Sequence, residues 1–397
     1  MRILYGHNFY QQPGGEDRCY HDEVQLLRDH GHEVITYTQH NRSVPRIGRL
    51  RLAGGTIWSR RAYREVRALV ARHRPQVAYF ANTFPLISPS AYYAARHGQA
   101  AVVQVLHNFR LACPRADLLR DGRPCELCVG RLAPWPAIRH ACYRESRAAT
   151  AVTAGMLAVH RWLETWSACV DLFCALTPFA RGLFLRAGLD RDQLVVKPNF
   201  VATDLGMAPG SPNRVLFVGR LAPEKGVSTL LDAWARVPGD VELHVAGDGP
   251  LATEVRRAAG DDRRIRWHGL LSHDQVLTLM GSAAILVMPS LCYEAFGLPI
   301  IEAYSRGTPV VASRHGSMAE LVDEGSTGWL SRPGDADRLA TTLARVLSDP
   351  SALARARERA RRKFERCYGA DRGYANLLSV LERARRRRQG ALVGDGR

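Results

Sequence analysis

The chain has 397 residues, of which 46% are hydrophobic, and its 55 basic and 38 acidic residues give a formal charge of +17 at pH 7. This length predicts two domains, and the composition excludes a disordered chain. No stretch offers the roughly 18 consecutive apolar residues of a membrane span, and MRILYGHNFYQQPGG lacks the apolar core of a secretory signal. We therefore expect a cytoplasmic protein whose nine cysteines do not build a disulfide framework.

Short β-branched runs alternate with helical patterns along nearly the whole chain, which is typical of βαβ units and parallel sheets. The first half contains six predicted strands: Arg2–Gly6, Glu33–Thr38, Val77–Phe80, Ala101–Leu106, Val170–Ala175 and Leu194–Lys197. The second half contains five: Arg214–Val218, Val241–Ala246, Ile265–Trp267, Ala284–Met288 and Pro309–Ala312. The pattern predicts an α/β protein with two Rossmann-like, doubly wound parallel-sheet domains facing a central cleft.

Domain boundaries are predicted from VATDLGMAPGSPN, a stretch rich in glycine, proline and small residues. Residues 201–213 would link an N-terminal domain (1–200) to a C-terminal domain (214–370). Helices are predicted at 16–30, 298–306, 335–347 and 351–366, then a last helix at 371–388 and a flexible tail at 389–397.

Two carboxylates, Glu294 and Glu302, border the glycine–proline turn in CYEAFGLPIIE. The strand before the turn is apolar throughout, and a proline suits the first turn of the helix that follows it. Backbone N–H groups of Gly297 and Leu298 would then form an anion site. Ligand hydroxyls compensate a carboxylate for leaving water, so the pattern predicts a nucleotide sugar. For Glu302 alone, a charge stabilised by the helix dipole is the alternative.

Two cations, Arg220 and Lys225, lie in the loop of FVGRLAPEKGVSTLLDAW between a strand and a helix. Two fixed cations suit a diphosphate, because charge-assisted hydrogen bonds are the strong ones. No serine or threonine follows the lysine, so this is not a Walker loop. Solvated surface charges are the alternative interpretation.

The first half offers weaker candidates. Gly14 and Gly15 in PGGED would allow a ligand to approach the backbone closely, although a simple turn explains them equally well. His107 follows an apolar strand, where it would either bind substrate or serve the structure. Asn199 in KPNF would face the cleft or cap a turn.

These motifs, in their order along the chain, resemble the retaining glycosyltransferases of the GT-B fold, family 4 (glycosyl transferases group 1). The matching stretches are GGED, LHNFRLACP, KPNF, VGRLAPEKG, VAGDGP and EAFGLPIIE, the last being the family's signature of two glutamates separated by seven residues. The resemblance implies that Glu294 contacts the donor sugar, Glu302 binds the ribose, and Arg220 and Lys225 clamp the diphosphate.

The same resemblance implies that amides near Gly297 and Leu298 assist at the diphosphate. Gly15 would approach the phosphates from the other domain, and His107 would lie beside the sugar. The implied reaction moves a sugar from a UDP-, GDP- or other nucleotide sugar to an acceptor hydroxyl, retaining its anomeric configuration and requiring no cofactor. The stretch DAD at Asp335–Asp337 is predicted to cap a helix, so we expect no metal in catalysis.

The partners that the resemblance implies are a nucleotide sugar and an acceptor. The acceptor would be a cell-envelope glycan, a lipid-linked sugar or a small natural product. The last helix of this fold crosses back to the first domain, and the surplus arginines of this helix and of the first domain suggest a peripheral contact with anionic lipid at the inner face of the membrane.

Four thiols fall in a segment at about 110–145 that is predicted to be an insertion. Cys113, Cys125, Cys128 and Cys142 would suffice for a structural zinc site, with His140 able to replace one thiol. Small buried thiols are the alternative.

Three other classes of protein are weighed against the transferase. A phosphorylase of the same fold would use pyridoxal phosphate on a buried lysine, and lysines are scarce here. A nucleic-acid-binding protein would explain the charge but not the glutamate pair, and few aromatic residues accompany the arginines of the tail. A dinucleotide-dependent oxidoreductase would need a G-x-G-x-x-G turn, which GHNFYQQPGGED does not provide.

Overall fold

The computed structural model describes residues 1–12 and 14–394, with side chains described as far as Ala391. The chain forms two compact units. Unit 1 comprises Met1–Leu118, Glu126–Asn199 and the C-terminal residues from Gly373 onward, and unit 2 comprises Leu119–Cys125 and Phe200–Arg372.

Unit 1 contains a six-stranded sheet whose strands are all parallel. The strands are β1 (Arg2–Phe9), β2 (Glu33–His40), β3 (Val77–Asn82), β4 (Ala101–Val105), β5 (Leu172–Ala175) and β6 (Leu194–Val196), in the order β2-β1-β3-β4-β5-β6. Every residue of β3 and β4 is buried, as expected for parallel strands covered on both faces.

Eight α-helices of unit 1 precede Phe200 in the described chain. They are α1 (Gly15–Asp29), α2 (Arg49–Ile57), α3 (Arg60–His73), α4 (Ser90–His97), α5 (Trp135–Arg139), α6 (Arg147–Trp162), α7 (Thr165–Cys169) and α8 (Pro178–Arg186). Short 3-10 helices span Asn41–Arg46 and Arg191–Gln193.

Unit 2 contains a second parallel sheet of six strands. Its strands are β7 (Arg214–Val218), β8 (Glu242–Ala246), β9 (Ile265–Gly269), β10 (Ile285–Met288), β11 (Val310–Ser313) and β12 (Gly328–Ser331). The order β9-β8-β7-β10-β11-β12 is that of a doubly wound dinucleotide-binding sheet, in which the chain reverses direction across the sheet between β7 and β10.

The helices of unit 2 alternate with its strands. They are α9 (Val227–Trp234), α10 (Ala252–Asp261), α11 (His273–Gly281), α12 (Leu298–Ser305), α13 (Gly316–Leu321), α14 (Ala336–Leu347) and α15 (Pro350–Cys367). A 3-10 helix spans Pro223–Lys225, and a small hairpin pairs Leu119–Arg120 with Arg123–Pro124. Trp234 of α9 and Leu343 of α14 are fully buried in one hydrophobic core with the strands.

The last helix, α16 (Ala370–Gly394), belongs to unit 1 from Gly373 onward. The Tyr374 ring stacks on the His30 ring at 3.6 Å, and its hydroxyl lies 2.9 Å from His32 Nε2. The helix extends past the predicted end at residue 388, and residues 395–397 of the predicted tail lie outside the described residues.

The α/β fold class with two doubly wound parallel sheets is confirmed. Strand β12 was not predicted, because its sequence GWLS contains no β-branched residue. No helix among residues 1–12 and 14–394 is long and apolar enough to cross a bilayer.

Candidate active site

The loops after β7 and β10 meet at the point where the strand order of unit 2 reverses. Ligands of open α/β sheets bind at such a point, beyond the carboxyl ends of the strands. Arg220 and Lys225 follow β7, and Glu294 and Gly297 follow β10. The predicted cations and carboxylate therefore belong to two neighbouring loops.

A glycine brings these two loops into contact. Gly226 has φ +70°, and a Cβ atom built on it would lie 2.0 Å from the carbonyl oxygen of Pro289. The amide of Leu291 donates to the carbonyl of Glu224 at 2.9 Å. Only a residue without a side chain fits this approach, which places Lys225 beside the loop after β10.

The ammonium of Lys225 lies 2.7 Å from Glu294 Oε1, and the hydroxyl of Ser290 donates to the same oxygen at 2.8 Å. The side chains of Lys225 and Glu294 are 27% and 14% exposed, so this ion pair lies at a partly open surface. Burial acts to raise the pKa of Glu294, but Lys225 and Ser290 outweigh it and hold that pKa below its usual value. Both groups of the pair are therefore charged near neutral pH.

His315 supports the same loop. Its Nε2 donates to the carbonyl of Ser290 at 2.9 Å. Burial lowers the pKa of His315, so the imidazole is neutral at pH 7 and carries its proton on Nε2. Neither His315 nor Ser290 was predicted, because no motif in the sequence marks them.

The turn before α12 has the geometry expected of an anion site. Gly297 caps the helix with φ +109°, and α12 begins at Leu298 with a proline in its first turn. The helix therefore presents backbone N–H groups next to the loop that carries Glu294.

Arg220 and Glu302 have other partners. Arg220 pairs with Glu224, four residues along the chain, and its side chain is 56% exposed. Glu302 is buried in the second turn of α12, with Oε1 3.7 Å from His273 Nδ1 at the start of α11. The first turn of α12 contains no acidic residue, so the alternative of a charge placed for the helix dipole is wrong. Among the predicted residues, the structure brings Lys225 and Glu294 together.

In unit 1, a small, partly open cavity of about 50 Å³ lies at the ends of β1, β3 and β4. His107 lines it, together with Tyr10, Asn82 and Asn108. Burial lowers the pKa of His107 to about 3, and its Nε2 has no hydrogen-bond partner among the described residues. A neutral, unpartnered imidazole at the end of a buried strand is suited to binding a polar ligand.

The sequence motif GGED contains a residue that the sequence analysis passed over. Gly14 caps α1 and Gly15 is its first residue, as a turn requires. The next residue, Glu16, has a pKa that burial raises to about 8, and its Oε2 accepts from the hydroxyl of Tyr10 at 2.9 Å. Its other carboxylate oxygen has no partner among the described residues. The feature of the sequence that could have identified Glu16 is an acidic residue next to two glycines.

Two further predictions concern Asn199, whose role stays a prediction, and Asp335. Asn199 is buried, with its Oδ1 lacking a partner in the described part of the chain. Asp335 caps α14 through a hydrogen bond from the amide of Arg338 at 2.9 Å, which confirms the cap.

The predicted zinc site is not assembled. No three His, Cys, Asp or Glu side chains among residues 1–12 and 14–394 are arranged to hold a metal ion, and none of the nine cysteines forms a disulfide bond. The close spacing of Cys125 and Cys128 therefore does not extend to a converging set of ligands.

Sequence comparisons find a family match in the second half of the chain. Residues 207–363 match the model of the family described as glycosyl transferases group 1. The MMP alpha-(1->4)-mannosyltransferase of Mycolicibacterium hassiacum is 35% identical over 180 residues, which is 43% of each chain. The alpha-D-kanosaminyltransferase of Streptomyces kanamyceticus is 32% identical over 152 residues, 37% of this chain and 39% of that one. The matches thus span less than half the length of these curated relatives.

Solved structures resemble the chain over nearly its whole length. Anabaena HepE in complex with UDP and glucose has a TM-score of 0.69 and 20% identity, covering 96% of this chain and 99% of that one. The sucrose-phosphate synthase of Thermosynechococcus elongatus has a TM-score of 0.71 and 19% identity, covering 96% and 98%. This likeness shows the fold, and the predicted GT-B fold is confirmed.

Proposed function

We propose that this chain, whose residues 207–363 belong to the glycosyl transferases group 1 family, moves a sugar from a nucleotide-diphosphate sugar to an acceptor hydroxyl. The observation that supports this most is the Lys225–Glu294 pair at the strand reversal of unit 2. A cation suits the diphosphate, and a carboxylate suits the hydroxyls of the sugar. The pair lies inside the region that matches the family.

The donor would rearrange this pair. Its diphosphate competes with Glu294 for the Lys225 ammonium, and the released carboxylate oxygen accepts hydrogen bonds from the sugar. The amides of Gly297 and Leu298 would bind phosphate oxygens, and the exposed Arg220 would add a second cation. Each of these groups stabilises the negative charge that develops on the departing diphosphate. Glu302 is proposed to bind the ribose.

Retention of configuration is proposed to follow a same-face path. The bond between the anomeric carbon and the phosphate oxygen breaks, the acceptor oxygen bonds to the same face, and its proton passes to the leaving phosphate. No enzyme nucleophile or metal ion takes part. His107 would bind substrate as a neutral imidazole, because its pKa of about 3 keeps it uncharged. Gly14, Gly15 and Asn199 stay predicted contacts.

A UDP-sugar is the first donor to test, because the Anabaena protein of the same fold was solved with UDP and glucose. The named relatives transfer different sugars, a mannosyl group in one and a kanosaminyl group in the other. We propose a cell-envelope glycan, a lipid-linked sugar or a natural product as the acceptor, with the reaction on the cytoplasmic side.

A phosphorylase that uses pyridoxal phosphate is disfavoured by the state of the lysines. The chain has three lysines, and each forms an ion pair: Lys197 with Glu23, Lys225 with Glu294 and Lys363 with Asp323. A Schiff base needs a neutral amine, whereas these carboxylates favour the ammonium form.

The test is a thermal-shift screen of UDP- and GDP-sugars, followed by mass spectrometry of the product and NMR of its anomeric proton. Stabilisation by one sugar nucleotide in wild type, lost in Lys225→Ala and Glu302→Ala, is the expected result. Wild-type donor affinity in both variants would refute the assignment of the site. An inverted product would refute the same-face path alone.

A peripheral membrane contact was predicted from the arginine-rich tail. Arg383 and Arg387 of α16 instead donate to the carbonyl of Asp192 at 3.3 Å, and Arg388 is buried. Part of the tail thus forms hydrogen bonds within unit 1, and the membrane contact of its exposed arginines stays a prediction.

A further inference from the structure

Unit 1 carries a surface whose residues take no part in the proposed transfer, and which we name the basic face. It consists of α2 with the preceding 3-10 helix (Asn41–Arg46), the exposed side of α6, and the segment 127–139 that contains α5.

Helix α6 presents an apolar stripe to solvent. Ala148, Ala151, Val159 and Trp162 are exposed and share one side of the helix, while Thr150, Leu157 and others on the opposite side are buried. Trp162 is 74% exposed. A helix that faces only water carries polar residues on its outer side, so this stripe indicates a partner.

Two segments flank α6. His160, on the buried side of the helix, places its Nε2 2.8 Å from the carbonyl of Ile57, which ties α2 to α6. The guanidinium of Arg161 donates to the carbonyls of Arg131 and Leu132. The helix that carries the exposed stripe is therefore in contact with both α2 and the segment that contains α5.

Both flanking segments add exposed apolar side chains. Leu50 on α2 is 91% exposed. Leu132 and Trp135 in the other segment are 60% and 53% exposed. A single exposed leucine is ordinary on a protein surface, but leucine and tryptophan side chains on three adjoining elements form a patch.

The patch is surrounded by positive charge without compensating acid. Between Glu33 and Glu65 the sequence holds seven arginines and no acidic residue. No acidic residue lies between Glu126 and Glu145 either. Arg42, Arg46, Arg49 and Arg51 are exposed, and no carboxylate pairs with them in the described part of the chain.

We propose that the basic face binds the surface of an anionic lipid bilayer. Arginines near such a surface are attracted to the headgroups, and exposed leucine and tryptophan side chains enter the boundary between headgroups and acyl chains. A nucleic acid or an acidic peptide would satisfy the arginines, but exposed leucines gain nothing from its charges. The mixture of apolar and cationic side chains thus favours lipid.

The experiment is co-sedimentation of the full chain with vesicles of phosphatidylcholine containing phosphatidylglycerol, compared with pure phosphatidylcholine. Arg49→Gln/Arg51→Gln should weaken binding about 20-fold, since each arginine contributes roughly fivefold. Leu50→Asp and Trp162→Asp should each weaken it about tenfold or more. Leu270→Asp is the matched control, because Leu270 is 84% exposed in unit 2.

Three results would overturn the proposal. They are absence of binding at low salt, equal binding to neutral vesicles, and normal binding by Leu50→Asp and Trp162→Asp despite loss in the arginine variant. The last would indicate a general polyanion surface. Circular dichroism confirms that each variant is folded. No sugar nucleotide is added, so the outcome is independent of the proposed transferase activity.

Discussion

Replacing Lys225 by methionine removes the ammonium of the Lys225–Glu294 pair and keeps the volume of the side chain. A charge-assisted hydrogen bond contributes about 1.5–3 kcal/mol, so UDP should bind roughly 10- to 150-fold more weakly. In the nucleotide-free protein, the substitution leaves the Glu294 carboxylate without its cation, and this side chain is only 14% exposed. Breaking a fully buried pair costs about 3–5 kcal/mol, and partial exposure reduces this to about 1–2 kcal/mol of unfolding free energy.

A second variant separates these two effects. In Lys225→Met/Glu294→Gln, no charge is left uncompensated, so the stability lost in Lys225→Met should return while UDP binding stays weak. Lys363→Met is the matched control, because the Lys363 ammonium lies 2.8 Å from an Asp323 carboxylate oxygen elsewhere in unit 2. Calorimetric titration with UDP measures the affinity, and chemical denaturation without nucleotide measures the stability.

Two results would refute the reasoning. UDP affinity of Lys225→Met within twofold of wild type would show that the ammonium does not bind the diphosphate. A double variant no more stable than Lys225→Met would show that the uncompensated Glu294 charge is not the source of the loss.

Three further predictions concern stability. Gly226→Ala should lower the unfolding free energy by at least 2 kcal/mol more than Gly239→Ala, because both glycines have positive φ but only the former would meet Pro289; equal losses in chemical denaturation would contradict the close approach. Asp335→Ala should cost about 1 kcal/mol as a lost helix cap, with unchanged UDP affinity in titration; a loss of affinity would argue for a role in binding. Burial raises the pKa of Glu16 from 4.5 to about 8, so the folded chain retains a proton that the unfolded chain loses, and stability falls as pH rises through this window. Glu16→Gln should show a smaller fall in stability over this pH range and be more stable than wild type at pH 8. Chemical denaturation of both proteins at several pH values measures this, and an equal fall in unfolding free energy for the two would contradict it.

The fold was predictable because parallel strands covered on both faces are continuous apolar runs. Ile285–Met288 is such a run, Ala101–Val105 is apolar except for Gln104, and both are strands in the structure. Strand β12 was not predicted, because a four-residue segment that begins with glycine has no periodic hydrophobic pattern of its own. Its identity as a strand depends on pairing with β11, which local sequence does not encode.

The residues of the candidate site could be predicted from the sequence, but the ion pairs that they form could not. Motif spacing identified Lys225 and Glu294, yet the ion pair joins loops 69 residues apart in the chain. Arg220 pairs with Glu224 in its own loop, which the diphosphate interpretation did not anticipate. The cysteines show the same limit, since the sequence supplies a suitable count of zinc ligands but does not specify whether they converge, and no such group converges among the described residues.

Because α16 belongs to unit 1 but follows all of unit 2 in the chain, unit 1 is completed during translation only after unit 2 has been synthesised. The first 199 residues leave the ribosome lacking the helix that buries Leu377, Leu381 and Ala384 against them. The His30 surface on which Tyr374 later stacks stays open to solvent until unit 2 has been synthesised. At about 5–20 residues per second, that interval lasts on the order of ten seconds or more. In that interval the surface of nascent unit 1 that later packs against α16 stays exposed to solvent.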